Sequence, residues 1–329
     1  MLTIDLHPSA LQIMPLCHHG VPHMSASAVL LCAATLLLSA VTAYAEPHPG
    51  QRPVGFELGA SAAAVQSAAD VSKWQYHLLN PTPRDRMRPT RTDRPDKTES
   101  PYTVDAGHFQ LEMDVLTYTR DRQHGERLER WQVAPITLKV GLLNNVDLQL
   151  LLETHIDELT ANRVEDTRVH KRGFGDITTR LKINFWGNDG GATAFAVMPF
   201  IKFPTNQNRL GNTAVEGGVV LPLAVELPFE FGMGVMIEFD FVRGNANRHS
   251  YHTEFINSLT VAREIIRGVG GYVEFFTLTS SRGGPWVGTV DFGLTYAITN
   301  DIQLDAGVNV GVTRAADNLN PFLGLSMRF

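Results

Sequence analysis

The chain has 329 residues, with 28 Lys and Arg against 34 Asp and Glu, a formal net charge of −6. Charged residues make up 19% and hydrophobic ones 43%. That composition is too apolar for a disordered chain, and its mild acidity offers no global basic field to nucleic acid. A bundle of transmembrane helices is also excluded, since each helix needs an apolar run of roughly 20 residues. Both cysteines, Cys17 and Cys32, precede residue 46. Once a segment ending there is removed no thiol remains, which excludes disulfide scaffolds, Cys-ligated zinc and cysteine nucleophiles.

Residues 26–40 (ASAVLLCAATLLLSA) form one apolar stretch, followed by Ala43-Tyr44-Ala45 before Glu46. This is the layout of a signal peptide over residues 1–45. Residues 1–25 hold no Lys or Arg, so Met24 is an alternative start. Cys32 lies within the apolar run behind Leu30 and Leu31, a poor setting for a lipid anchor. The alternative to export is a buried N-terminal helix.

Residues 46–107 read as an irregular Pro/Arg-rich segment. Prolines 81, 83, 89, 95 and 101 block helix and interrupt strand pairing. Six bases crowd the run from Arg84 to Lys97 with no aromatic residue between them, so nucleic acid is not the expected partner. Two readings stay open: a solvated linker, or a segment that folds into a polar lumen. The run Lys73–Leu79 is a short ordered piece without an assigned element.

From His108 onward the period is two. Ile302, Leu304, Ala306, Val308 and Val310 alternate with Gln303, Asp305, Gly307, Asn309 and Gly311. Met233, Val235, Ile237, Phe239 and Phe241 alternate with Gly234, Met236, Glu238, Asp240 and Val242. Such runs reach the roughly 9–11 residues that cross a bilayer at a tilt. About twelve of them predict an all-β fold, an antiparallel up-and-down transmembrane β-barrel over residues 108–329. The connections alternate in length: Asp121–Glu129 and Asp157–Gly175 are long and charged, Leu143–Asn145 and Gly187–Gly191 tight. Short turns at one end and long loops at the other are the mark of a bacterial outer-membrane barrel. Pro135, Pro199 and Pro222 fall inside predicted strands and must sit at bulges or near a rim. Tyr118, Trp131, Trp186, Tyr251, Trp286 and Tyr296 are placed for aromatic girdles. The last strand alternates and stops on Phe329, a terminal aromatic of the kind read by barrel assembly machinery.

Three strings carry a resemblance: Asp93 to Glu112 (DRPDKTESPYTVDAGHFQLE), Asn184 to Gly191 (NFWGNDGG) and Arg314 to Phe322 (RAADNLNPF). Together they resemble the "putative MetA-pathway of phenol degradation" family from about Asp93 to Phe329. That resemblance implies a transporter-like outer-membrane protein and uptake of aromatic or hydrocarbon molecules.

In a barrel the polar face lines the lumen. It carries Glu112, Asp114, Lys139, Asp147, Glu153, Arg180, Lys182, Glu238, Asp240, Glu274, Asp291, Asp305 and Arg328. These are read either as a salt-bridged interior or as a surface that guides substrate. About twelve strands enclose a narrow or plugged pore, between the filled eight-stranded and the open 16-stranded cases. His249-x-x-His252 has loose metal spacing without a cysteine or acid motif, so no metal and no cofactor is expected. No nucleophile elbow, Walker loop or dinucleotide fingerprint is present. The sequence therefore points to a non-enzymatic channel or transporter for small molecules, with outer-membrane lipid and the assembly machinery as partners. The alternatives are a structural or adhesive barrel with partner-binding loops and, behind it, a lipid-modifying enzyme using a pair such as His155 and Ser258.

Overall fold

The computed structural model describes residues 73–123, 125–244 and 250–329. The signal-peptide reading of residues 1–45, His249 and residues 46–72 lie outside them. Fifteen strand segments follow in chain order: β1 (Phe109–Gln123), β2 (Glu126–Val133), β3 (Ile136–Leu143), β4 (Val146–Leu152), β5 (His155–Asn162), β6 (Thr167–Gly173), β7 (Ile177–Trp186), β8 (Thr193–Phe203), β9 (Glu216–Leu227), β10 (Phe231–Arg243), β11 (Tyr251–Ile266), β12 (Val269–Ser280), β13 (Val287–Ala297), β14 (Ile302–Gly311) and β15 (Leu319–Arg328). All pair antiparallel in one sheet, and β15 returns to β1 to close it. Three pairs of segments are single strands with a break. β2 and β3 run end to end along β1, β4 and β5 along β3 and β2, and β6 and β7 along β5 and β4. The wall is therefore a closed barrel of twelve strands. Closure leaves no amide ladder facing lipid, the condition a spanning sheet must meet.

Alternation sorts the faces as the sequence predicts. Phe275, Phe292, Leu294 and Leu323 are exposed on the outside, while Glu274, Asp291 and Asp305 are buried within. Trp186 and Tyr296 stand outward near the short-turn end, and Trp131, Tyr251 and Trp286 near the other.

Of the prolines expected at bulges or near a rim, only Pro135 is at a break; Pro199 and Pro222 lie within β8 and β9, where the register does not shift but the ladder lacks a bond. Pro135 occupies the break between β2 and β3, where Ala134 takes φ 51°, opposite a register shift at Asp114/Leu116 of β1. Pro199 lies in the gap of the β7–β8 ladder between Arg180↔Phe200 and Ile183↔Val197. Pro222 lies in the gap of the β8–β9 ladder between Phe195↔Leu223 and Met198↔Val220. Each missing N–H thus coincides with a place where no ladder bond is made.

One expectation needs correction. Asp121–Glu129 and Asp157–Gly175 are not loops. Gln123 pairs with Glu126 across a two-residue turn, and β5 and β6 pair from Ile156↔Gly173 to Asn162↔Thr167. The upper part of β1 with β2, β5 and β6 forms a four-stranded extension. Among the described residues β6 has β5 as its sole strand neighbour, because β8 stops at Phe203 opposite Ile177. The loop 204–215 covers that edge: Gln207 N–H donates to the Phe174 carbonyl (2.9 Å) and Asn208 Nδ2 to that of Arg172 (2.6 Å). Above the barrel, water and charged side chains replace lipid, so the extension keeps the ladder and drops the apolar face.

Candidate functional site: a lumen filled from within the chain

Residues 88–105 are not a solvated linker. They enter the lumen from the short-turn end, rise to Lys97–Glu99 and return. Arg88 and Asp105 close the base, Nε to carboxylate at 3.2 Å, and the Arg88 guanidinium also donates to the Asn144 carbonyl (3.0 Å). Above them, Val104 N–H donates to Asp147 (3.0 Å), and Asn184 Nδ2 to the Pro101 carbonyl (2.9 Å).

At the centre Asp93 receives Lys139 and Lys182, the latter at 2.7 Å, and Lys139 also bonds Glu112 (2.5 Å). Arg94 bridges opposite sides of the β1–β15–β14 wall, reaching Asp114 and Asp305 at 2.6 Å each. At the top Lys97 Nζ pairs with Asp291 (3.0 Å). The backbone N–H groups of Lys97 and Thr98 donate to the Glu274 carboxylate at 2.9 and 2.7 Å. The Thr98 hydroxyl lies 2.7 Å from that of Ser258, and Glu99 pairs with Arg180. Asp93, Arg94, Lys97 and Glu99 each meet an opposite wall charge, which is what makes their joint burial tolerable, while Arg91 and Asp96 form no ion pair among the described residues.

Two glycines make the fit possible. A Cβ on Gly141 of β3 would lie 2.1 Å from the Asp105 carbonyl oxygen, where Gly107 N–H also bonds the Gly141 carbonyl (2.8 Å). A Cβ on Gly324 of β15 would lie 2.1 Å from the Arg94 guanidinium. Beside the plug a hollow of about 80 Å³ remains, lined in part by Arg91, Asp96, Tyr102, Ala224 and Thr260, room for a few water molecules.

Of the polar-face residues, Glu112, Asp114, Lys139, Asp147, Arg180, Lys182, Glu274, Asp291, Asp305 and Arg328 all touch the plug; Arg328 donates to the Arg88 carbonyl at 2.7 Å. Glu153 instead accepts from Asp176 N–H (2.9 Å) at the break before β7. Glu238 and Asp240 form no ion pair among the described residues. Sequence reasoning missed the plug's own Asp93, Arg94, Lys97 and Glu99. Their alternating sign, mirrored on the wall, is the signal that could have found them. The Ser258 hydroxyl is engaged by Thr98, and among the described residues no hydrogen bond joins it to His155. No group of three His, Cys, Asp or Glu side chains there is placed to hold a metal.

At the short-turn end the chain before the plug is clasped to the rim. Leu78 N–H donates to the Leu142 carbonyl (2.9 Å), and Lys73 reaches Asp189 in the β7–β8 turn (2.7 Å). Burial pushes the Asp189 carboxyl up, but the Lys73 hydrogen bond and the Arg88 charge hold it below the ordinary range.

A family model described as "Putative MetA-pathway of phenol degradation" matches residues 92–329, the plug from Thr92 onward and the whole barrel. The chain belongs to this family. Among solved structures, this family member is similar to the COG4313 outer membrane channel from Pseudomonas putida F1, at 11% identity over 73% of this chain and 100% of that one, TM-score 0.50. It is also similar to the NanC porin (13% identity, 66% and 98% covered, TM-score 0.42) and to the translocator domain of autotransporter NalP from Neisseria meningitidis (10%, 67% and 88%, TM-score 0.41). No curated protein sequence matches it. The fold is that of bacterial outer-membrane barrels.

Proposed function

We propose that the chain is an outer-membrane channel for small molecules whose lumen is closed by its own residues 88–105. The observation that carries this reading is how the plug is held. Between Arg88 and Val104 it is bound by side-chain ion pairs and hydrogen bonds to the wall, contacts that water can replace without breaking the barrel ladder. The reading treats aromatic or hydrocarbon molecules as the solutes, in line with the family description. Met198, Val220, Met236 and Ile256, with Phe200, Phe276 and Leu278, form an apolar strip on the inward face of β8–β12 that suits them. The short-turn end is assigned to the periplasm and the extension to the outside. Export by a signal peptide cleaved after residue 45, lipid around the outer face, and assembly machinery reading β15 and Phe329 belong to the same proposal.

Single-channel recording and phenol uptake into liposomes test it, on the wild type and an Asp93→Ala/Arg94→Ala variant. Low conductance that rises in the variant is expected. Background conductance and no phenol uptake in both would overturn it. That result would favour the second reading, a structural or adhesive barrel, for which the projecting extension speaks.

A further inference from the structure

The outward face of the extension is built of three cross-strand rows. Nearest the barrel come Tyr118, Trp131, Asp157 and Arg172, then Arg120, Glu129, Leu159 and His170, then Arg122, Arg127, Ala161 and Arg168. The Tyr118 and Trp131 rings lie 4.4 Å apart, and Trp131 is 43% exposed, the setting of an interfacial girdle. The bases therefore stand just beyond the bilayer edge.

Their counter-charges are incomplete. Arg127 pairs with Glu129, and Asp157 takes both Arg172 (2.6 Å) and His170 (2.7 Å). Arg120, Arg122, Arg163 and Arg168 form no ion pair among the described residues. Arg122 is the direct cross-strand partner of Arg127, and like charges placed opposite one another oppose the pairing. The inward face of the same strands is different: Glu158 is flanked by Lys171 (3.4 Å) and Arg130 (3.9 Å). Two adjoining hollows open among the outward bases. One of about 240 Å³ is lined by Arg127, Arg163 and Arg168 with Glu129 and Asp166, and one of about 150 Å³ by Arg122, Arg127 and Arg163 with Glu126, so guanidinium groups outnumber carboxylates in each.

We propose that this face binds the phosphate-bearing headgroup of a lipid in the outer leaflet. Guanidinium groups grip phosphate oxygens in pairs, and a phosphate seated among Arg127, Arg163 and Arg168 supplies the counter-charge that hollow lacks. A lipid is favoured over free phosphate because the lower rows place Trp131 and Leu159 where its acyl and sugar portions would lie. The inference rests on the extension facing outward, not on whether the barrel conducts.

The test is native mass spectrometry of the full chain, refolded in detergent, with diphosphoryl lipid A, its phosphate-free analogue and inorganic phosphate as probes. Heat-modifiable migration confirms folding. Wild type binds the diphosphoryl lipid, Arg127→Gln/Arg163→Gln/Arg168→Gln loses roughly tenfold or more, and Arg168→Gln on the edge strand alone loses a smaller part. Equal binding by the triple variant, or of the phosphate-free analogue, would overturn the proposal. So would displacement of the lipid by inorganic phosphate, which would make the hollows a soluble-anion site.

Discussion

Two regions of this barrel use arginine and lysine in opposite ways. In the lumen, Arg94, Lys97, Lys139 and Lys182 each meet a carboxylate of the same chain, buried and at hydrogen-bond distance. On the outward face of the extension, Arg122 faces Arg127, and Arg122 and Arg168 form no ion pair among the described residues. The difference lies in where the counter-charge comes from. Inside, the charged side chains are largely buried from solvent, so the chain supplies both signs itself. The extension stands in solvent beside a membrane surface, where a repulsive pair costs only tenths of a kcal/mol to about 1 kcal/mol and an external anion can complete it.

The strongest way to break this contrast is to unbalance the lumen. Asp93→Asn leaves Lys139 and Lys182 without their shared carboxylate, and removal of one member of a buried pair costs about 3–5 kcal/mol. Plug seating is expected to fail first, read as raised conductance and new protease sensitivity within residues 88–105. Gly141→Ala attacks the fit without touching a charge. The added methyl meets backbone that cannot swing away, an overpacking penalty of about 1–3 kcal/mol, expected as plug release with heat-modifiable migration preserved. Arg94→Lys keeps the charge but loses the fork that spans Asp114 and Asp305, at about 1–3 kcal/mol. If it conducts like the wild type, planar geometry is not what seats Arg94.

The extension sharpens the comparison from the other side. Arg122→Gln should stabilise the β1–β2 tip by about 0.5 kcal/mol in low salt, measured by hydrogen exchange, with the gain fading as ionic strength rises. An effect of similar size is expected at the Lys73–Asp189 clasp. Its carboxyl is depressed in the folded state, so its contribution is present above about pH 4 and is lost as pH falls. Protease access near Lys73 should rise on acidification, by an amount within about 1 kcal/mol for so exposed a pair. Asp189→Asn should remove that pH dependence.

Much of the wall was legible in advance. Alternation in β10 and β14 named the lipid and lumen faces; of the three prolines expected at bulges or a rim only Pro135 falls at a break, while Pro199 and Pro222 lie within β8 and β9 without a register shift. The extension was not legible. Residues 121–129 and 157–175 are too charged to show an apolar period, so hydrophobic alternation, the usual sign of a strand, is absent where strands leave the membrane. The plug was half legible. Its prolines excluded regular structure, and the alternating sign of DRPDK was visible, but that sign pattern selects a lumen seat only once the wall charges are brought opposite it.

The order of the residues by itself determined that this chain closes into a barrel and which side chains face inward, because both follow from a period of two and from lipid's refusal to hydrogen-bond backbone. Which charges meet was decided only when the cylinder shut. Asp93 and Lys182 lie 89 positions apart, and no local rule brings them together. The bend at Ala134, the seat that Gly141 leaves for Asp105, and the rows of arginine on the extension depend in the same way on strand register, which a change of one residue would turn inside out.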